Sequence, residues 1–106
     1  MTPEERYDEL VRQVAETGRI WLLEDEAGLV GSVGEDGRRY LAVWPDADAA
    51  EACAIGPWKG AQPVAMNAAA ALHAIGEREG MLAVHPTRED EGFPVEAGEL
   101  SDRLVD

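Results

Sequence analysis

The sequence has few cysteine, histidine and lysine residues, and each shortage excludes a class of function. Cys53 is the only cysteine, so an intramolecular disulfide and a multi-cysteine metal site are excluded. The two histidines, His73 and His85, lack the His-x-x-x-His spacing typical of zinc ligands. One lysine, Lys59, and eight arginines face 22 acidic residues, so the clustered basic residues that bind a phosphate backbone are absent. We therefore expect no metal, no cofactor and no nucleic-acid partner.

Long apolar segments and common catalytic motifs are also missing. No apolar run approaches the roughly 18 residues that cross a membrane, and the segment 1–5 does not resemble a secretory leader. Neither a glycine-rich phosphate loop nor a Gly-x-Ser-x-Gly nucleophile motif occurs. These absences predict a cytoplasmic protein that does not bind membranes and has no recognisable catalytic centre.

What the chain has in abundance is negative charge. Its 106 residues carry a formal net charge of -13, while 45% of them are hydrophobic, which is typical of a folded domain and not of an acidic tail. We expect a single domain over residues 1–106. The acidic runs Glu24–Glu26, Glu35–Asp36 and Glu89–Glu91 fall in predicted turns, where they are most simply solvated charges. The acidity fits either adaptation of the whole proteome or a docking surface.

The local patterns predict an α+β fold: a first helix, a three-stranded antiparallel meander, two helices, a further strand and a C-terminal helix, packed on one mixed sheet. Thr2 and Glu5 form a capping box for a helix over Pro3–Glu16, in which Tyr7, Leu10 and Val14 share one face. Strands, separated by glycine turns, are expected over the ranges 20–23, 29–33 and 39–44. Gly31 indicates a bulge or a close approach of another backbone.

The second half continues with alternating helices and strands. Asp46 is the predicted cap of a short helix to Ala54, and Asn67 caps another over Ala68–Glu79 after a brief extended piece, Val64–Met66. The remaining expected elements are a strand at Met81–His85, a short pairing at Phe93–Val95, and a final helix through Ala97, Leu100 and Leu104.

Several segments resemble a bacterial family known as domain of unknown function 2750. The resemblance rests on the run ETGRIWLL at Glu16–Leu23, the segment YLAVWP at Tyr40–Pro45, the motif GPW at Gly56–Trp58 and the strand end VHPT at Val84–Thr87. It covers nearly the whole chain, although the helix after Asn67 carries alanines where that family has bulky residues. The layout is also similar to the N-terminal domain of the SseB type. Because the family known as domain of unknown function 2750 has no established activity, the resemblance to it implies a fold and no chemistry.

Five residues are candidates for special roles. Trp21 and Trp44 are expected in the core, whereas Trp58 lies in a loop, where it either covers the sheet edge or anchors a partner. His85 ends a strand beside Pro86, a position where functional residues occur in α/β-type sheets. Cys53 has alanine neighbours and is expected to be a buried, inert thiol. Trp58 and His85 are therefore the predicted binding residues, and no catalytic residue is predicted.

Three functional hypotheses remain open. The first and favoured one is a non-catalytic protein-interaction or accessory module that binds a basic protein through acidic turns. The second is a small-molecule binder or enzyme that uses a strand-end site near His85. The third is a housekeeping domain whose acidity is purely adaptive. The sequence does not separate these hypotheses, and it gives no oligomeric state.

Overall fold

The computed structural model describes residues 2–78, 80–88 and 92–104, in which four α-helices and seven β-strands form an α+β fold. The predicted fold class is therefore confirmed. The elements are, in order, α1 (Pro3–Thr17), β1 (Arg19–Asp25), β2 (Gly28–Leu29), β3 (Gly31–Val33), β4 (Arg39–Val43), α2 (Ala47–Ala52), a 3₁₀ turn (Gly56–Trp58), β5 (Gln62–Asn67), α3 (Ala68–Glu77), β6 (Met81–Val84), β7 (Phe93–Glu96) and α4 (Ala97–Leu104). Among the described residues, no helix has the length and apolar character needed to cross a bilayer.

Helix α1 begins at the predicted capping box. The backbone N–H of Glu5 donates to the Thr2 hydroxyl at 3.1 Å, and the Thr2 N–H donates to the Glu5 carboxylate at 2.9 Å. These two bonds satisfy backbone donors that the first turn of a helix leaves without partners. Gly18 ends the helix in the left-handed conformation, with φ 72°. The capping box therefore placed the start of α1 correctly, and the helix ends at Thr17, one residue beyond the predicted Glu16.

The strands form two sheets, where a single sheet was expected. The first sheet is antiparallel, in the order β2-β1-β5, and the second is mixed, in the order β3-β4-β6-β7, with β4 and β6 parallel. They meet where Trp21 and Trp44 exchange two backbone hydrogen bonds, of 3.0 and 2.8 Å. A second connection runs through Val30, whose N–H donates to the Leu23 carbonyl of β1 at 2.9 Å and whose carbonyl accepts from the Ala42 N–H of β4 at 3.5 Å.

The middle strand of the predicted meander is divided between the two sheets. Its first part, β2, pairs with β1, and its second part, β3, pairs with β4, with Val30 between them. Gly31 follows this break, and a Cβ atom there would overlap the carbonyl oxygen of Tyr40. The predicted close approach of another backbone at Gly31 is therefore confirmed, and it occurs where the strand passes from one sheet to the other.

Strand β5 is longer than the extended piece predicted at Val64–Met66. It pairs antiparallel along β1 from Gln62, opposite Glu24, to Asn67, opposite Arg19. Pro63 lies inside this edge strand, where its missing N–H is tolerated. Asn67 then caps α3 by accepting from the Ala70 N–H at 2.9 Å, as predicted. Helix α3 ends at Glu77, and Glu79, its predicted last residue, lies outside the described residues.

Two groups of buried side chains fill the interior. The first, here called the aliphatic core, lies beneath α1, α3 and α4 and consists of Tyr7, Leu10, Val14, Ile20, Leu22, Val43, Ala68, Leu72, Leu82, Val84, Val95, Ala97 and Leu100. The second, here called the tryptophan core, lies beneath α2 and consists of Leu23, Val30, Ala42, Trp44, Ala50, Cys53 and Ala61. Trp44 is completely buried, as predicted, whereas Trp21 packs against the tryptophan core and is only partly buried.

Candidate functional site at the end of strand β6

A cavity opens where the end of β6 meets α1 and α2. Its volume is about 540 Å³, which is within the range of small-molecule sites. Three parts of the chain form its walls: the first turns of α1, one face of α2 with the residue after it, and the segment that follows β6. The lining residues are Arg6, Ala49, Ala52, Cys53, His85, Pro86, Thr87 and Arg88.

His85 is held in an unusual backbone conformation in this wall. Its φ is 50°, and it is the only residue other than glycine with a positive φ in the described part of the chain. Left-handed backbone is uncommon for residues other than glycine, although histidine, like asparagine and aspartate, adopts it more readily than most. The His85 N–H donates to the Val43 carbonyl at 2.8 Å. The link to β4 continues the β4–β6 ladder one residue beyond β6.

The imidazole of His85 is partly buried and incompletely satisfied. Its Nδ1 atom is fully buried and has no hydrogen-bond partner within the described residues. Burial lowers the pKa of His85 below its ordinary value, and the positive charge of Arg6 lowers it further. An interaction with the residue's own backbone, and then the carboxylates of Asp46 and Glu9, act on the pKa in the opposite direction. Since the net shift is downward, the ring is neutral at pH 7.

Pro86 belongs to the cavity lining, and its carbonyl oxygen accepts two side-chain hydrogen bonds. One comes from the Trp44 indole at 3.0 Å and the other from the Cys53 thiol at 3.2 Å. Burial raises the pKa of Cys53, so the group is a protonated thiol at neutral pH. This agrees with the prediction that Cys53 is a buried thiol and not a nucleophile. Trp44 and Cys53 therefore position the residues that follow β6.

Two arginines contribute positive charge to the cavity. Arg6, in the first turns of α1, is only 8% exposed. Arg88, in the segment after β6, is exposed, and its Nε donates to the Ala52 carbonyl at 3.2 Å. That bond links the segment after β6 to the end of α2, and it restrains the position of the Arg88 Nε atom. A neutral histidine therefore lies with two guanidinium groups in the lining of one cavity.

The second predicted binding residue, Trp58, lies outside this lining. Its ring packs edge-on against Trp44, with centroids 6.1 Å apart and an interplanar angle of 87°. This contact leaves Trp58 partly buried, at the rim of the tryptophan core. The structure thus connects Trp58 to His85 only indirectly, because Trp44 contacts Trp58 on one side and the Pro86 carbonyl on the other.

The other histidine and the acidic turns have local roles. His73 forms an exposed pair with Glu77, four residues later on α3, at 3.0 Å. In the predicted acidic turns, Asp25 accepts from the Ala27 N–H at 2.9 Å, and Asp36 accepts from the Tyr40 hydroxyl at 2.7 Å. The acidic run 89–91 lies outside the described residues. No group of three or more potential metal ligands occurs among the residues the structure describes.

Arg6 and Arg88 were not predicted as site residues. A signal for Arg6 was present, because it lies four residues before Leu10 and eight before Val14, which places it on the buried face of α1. A charged residue at such a position calls for an explanation. No comparable signal marks Arg88, since its relation to Ala52 arises only from tertiary structure.

Comparison with known proteins identifies a family but no activity. The model of a family described as "Protein of unknown function (DUF2750)" matches residues 7–104, which is nearly the whole chain. No curated protein matches the chain, and neither does any solved structure. The resemblance inferred from the ETGRIWLL run and the tryptophan positions is therefore confirmed.

Proposed function

The chain belongs to the DUF2750 family, a family of unknown function, and from the geometry of the site we propose that it is a non-catalytic domain that binds a small molecule in the His85 cavity. This is the second hypothesis of the sequence analysis, without its catalytic option. Binding is favoured over catalysis because the one thiol in the cavity has a raised pKa and donates to Pro86. A nucleophile would need a lowered pKa or an adjacent base.

The observation that carries the proposal is the state of His85. A left-handed backbone and a buried Nδ1 without a partner among the described residues both cost stability, and both occur at one residue of the cavity lining. Costs of this kind are retained where a site needs a group in a fixed position. A bound molecule that pairs with the imidazole would recover part of that cost.

A basic protein partner remains the competing proposal. It is supported by the net charge of -13 and by the partly buried Trp58 at the rim of the tryptophan core. Against it, the turn carboxylates of Asp25 and Asp36 already accept hydrogen bonds within their own turns. A cytoplasmic location also stays a prediction. The small-molecule proposal names a defined site, the His85 cavity, whereas the protein-partner proposal does not.

Three probes of one shape test the proposal: benzoate, benzamide and benzamidine, which are respectively anionic, neutral and cationic. Each is titrated into ¹⁵N-labelled protein while amide chemical shifts are recorded. We expect at least one probe to shift amides of residues that line the cavity, with saturation at a single site. The proposal would be contradicted if, for all three probes, the shifts did not saturate or occurred at residues outside the cavity lining.

A matched pair of variants locates the binding. Ala52→Phe adds a ring to the cavity wall from an exposed position on α2, and should abolish saturable shifts. Ala74→Phe makes the same change at an exposed position on α3, outside the cavity lining, and should leave binding unchanged. Equal behaviour of the two variants would place the binding site elsewhere.

A further inference from the structure

The charged side chains in the described lining of the His85 cavity are basic, whereas the molecule as a whole is acidic. The chain has nine basic and 22 acidic residues, yet two of its eight arginines line this one cavity together with a histidine. Among the described lining residues there is no aspartate or glutamate. A concave site lined by one sign of charge concentrates ions of the other sign. The lining therefore favours an anion, although the net charge of the protein repels one.

Arg6 brings a positive charge from α1 into the lining of the cavity. It lies one turn into the helix and is only 8% exposed. Because a guanidinium keeps its charge over the whole physiological pH range, it adds a constant attraction for an anion.

Arg88 is the second arginine of the cavity lining. Its Nε–H donates to the Ala52 carbonyl, which restrains the side chain and leaves the terminal N–H groups for a ligand. The planar guanidinium presents paired N–H donors that match the oxygens of a carboxylate or a phosphate. Arg6 and Arg88 are thus a buried and an exposed guanidinium in the lining of one cavity.

We propose that the molecule bound in the His85 cavity carries an oxyanion group, a carboxylate or a phosphate, which contacts Arg6 and Arg88, and that its binding is coupled to protonation of His85. This inference rests on the proposed function and specifies its ligand class. The apolar part of the ligand contacts Ala49, Ala52 and Pro86, which provide the uncharged portion of the lining.

The proton coupling follows from the groups that face His85. They are Arg6 and Glu9 from α1, Asp46 and Cys53 from the two ends of α2, and Arg88 from the segment after β6. Without ligand, burial and Arg6 keep the ring neutral at pH 7. An oxyanion beside the ring offsets the charge of Arg6 and favours the imidazolium form. Ligand affinity therefore increases as the pH falls, because the bound state takes up a proton.

The charge preference is tested with the same three probes. Benzoate should bind at least about tenfold more tightly than benzamide, which corresponds to one charge-assisted hydrogen bond, and benzamidine should not bind. Phenyl phosphate in place of benzoate shows which oxyanion the site prefers. Saturable binding of benzamide as tight as that of benzoate would overturn the oxyanion inference while leaving the small-molecule proposal intact. Failure of all probes would overturn both.

Arginine variants identify the groups responsible. Arg88→Gln removes the charge from an exposed residue and should weaken benzoate binding about tenfold, whereas Arg78→Gln, exposed at the end of α3, should not change it. Arg6→Lys keeps the charge but not the planar donor pair, and should also weaken binding. Because Arg6 is buried, its variant is interpreted only if its melting temperature is close to that of the parent. Unchanged binding by Arg88→Gln would contradict the proposed contact.

The proton coupling is tested with sulfate, whose charge is constant between about pH 5 and 8. Sulfate, titrated at constant ionic strength against chloride, should bind severalfold more tightly at pH 5.5 than at pH 7.5. His85→Asn should remove this pH dependence, and Asn is suitable because it tolerates a positive φ. A pH dependence that persists in His85→Asn would overturn the coupling, as would pH-independent binding by the parent protein.

Discussion

The two cores of this protein are built differently. The aliphatic core joins three helices to both sheets through large apolar side chains, among which Leu10, Leu22, Leu82 and Leu100 are completely buried. The tryptophan core contains mainly small side chains around Trp44, and two of its members, Trp44 and Cys53, donate hydrogen bonds to the Pro86 carbonyl. The first is a continuous apolar interior, and the second supports a polar cavity wall.

This difference separates stability from binding. Apolar burial in the aliphatic core supplies non-directional stabilisation, whereas the hydrogen bonds of the tryptophan core specify positions. Cys53 and Pro86 belong to the cavity wall as well as to these contacts. Variants in the two cores should therefore differ in their effect on ligand binding even where their effects on folding are similar.

The largest effect is expected for Trp44→Ala. It removes a completely buried ring, its edge-on contact with Trp58 and the indole donor to Pro86, and should lower the free energy of unfolding by about 3–5 kcal/mol. It should also weaken benzoate binding, since the segment after β6 loses a support. Urea denaturation and the probe titration measure the two effects, and a loss below 1 kcal/mol would contradict the assigned role of Trp44.

Leu100→Ala is the matched change in the aliphatic core. Leu100 is completely buried in α4, so we expect a loss of about 2–5 kcal/mol in the free energy of unfolding. Benzoate binding, measured where the variant is fully folded, should keep the affinity of the parent protein. If Leu100→Ala weakened binding as much as Trp44→Ala does, the separation between the two cores would be wrong.

A smaller effect is expected at the start of α1. Thr2→Ala removes the hydroxyl that accepts from the Glu5 N–H, and should cost about 1 kcal/mol of folding free energy. Glu4→Ala, a change at an exposed position of the same turn that leaves the capping box intact, is the control and should cost less. Equal losses for the two variants would mean that the capping box does not stabilise the helix.

The smallest effect concerns the pH dependence of stability. Because the folded-state pKa of His85 is lowered, the unfolded chain binds more protons as the pH falls below about 6.5, and stability decreases over that window down to the folded-state pKa. His85→Asn should show a smaller decrease than the parent protein. Parallel curves for the two proteins, measured by urea denaturation, would rule out this contribution.

Local signals in the sequence were enough for most of the fold. Thr2 with Glu5, Asp46 and Asn67 each cap a helix where predicted, because side-chain caps depend on residues only three positions apart. The division of the middle strand at Val30 was not predicted. It depends on which strands lie beside β2 and β3, and pairing between distant segments leaves no local pattern.

The candidate site was predicted only in part. His85 was recognised from its place at a strand end, and the structure adds its positive φ and its buried Nδ1. Its charged neighbours come from α1 and from beyond β6, so their arrangement depends on tertiary packing. Trp58 was predicted as a binding residue from its place in a loop. In the structure its ring contacts Trp44, which was predicted to be in the core, and this contact between distant segments leaves no local pattern in the sequence.

The most direct test of the account is the titration of the His85 ring by NMR, with and without sulfate. Without sulfate, the ring nitrogens should titrate with a midpoint below about 6.5, the ordinary value for histidine. With saturating sulfate, we predict that the midpoint moves upward, while the resonances of His73, exposed on α3, do not respond to sulfate. A midpoint for His85 that is the same with and without sulfate would contradict the account.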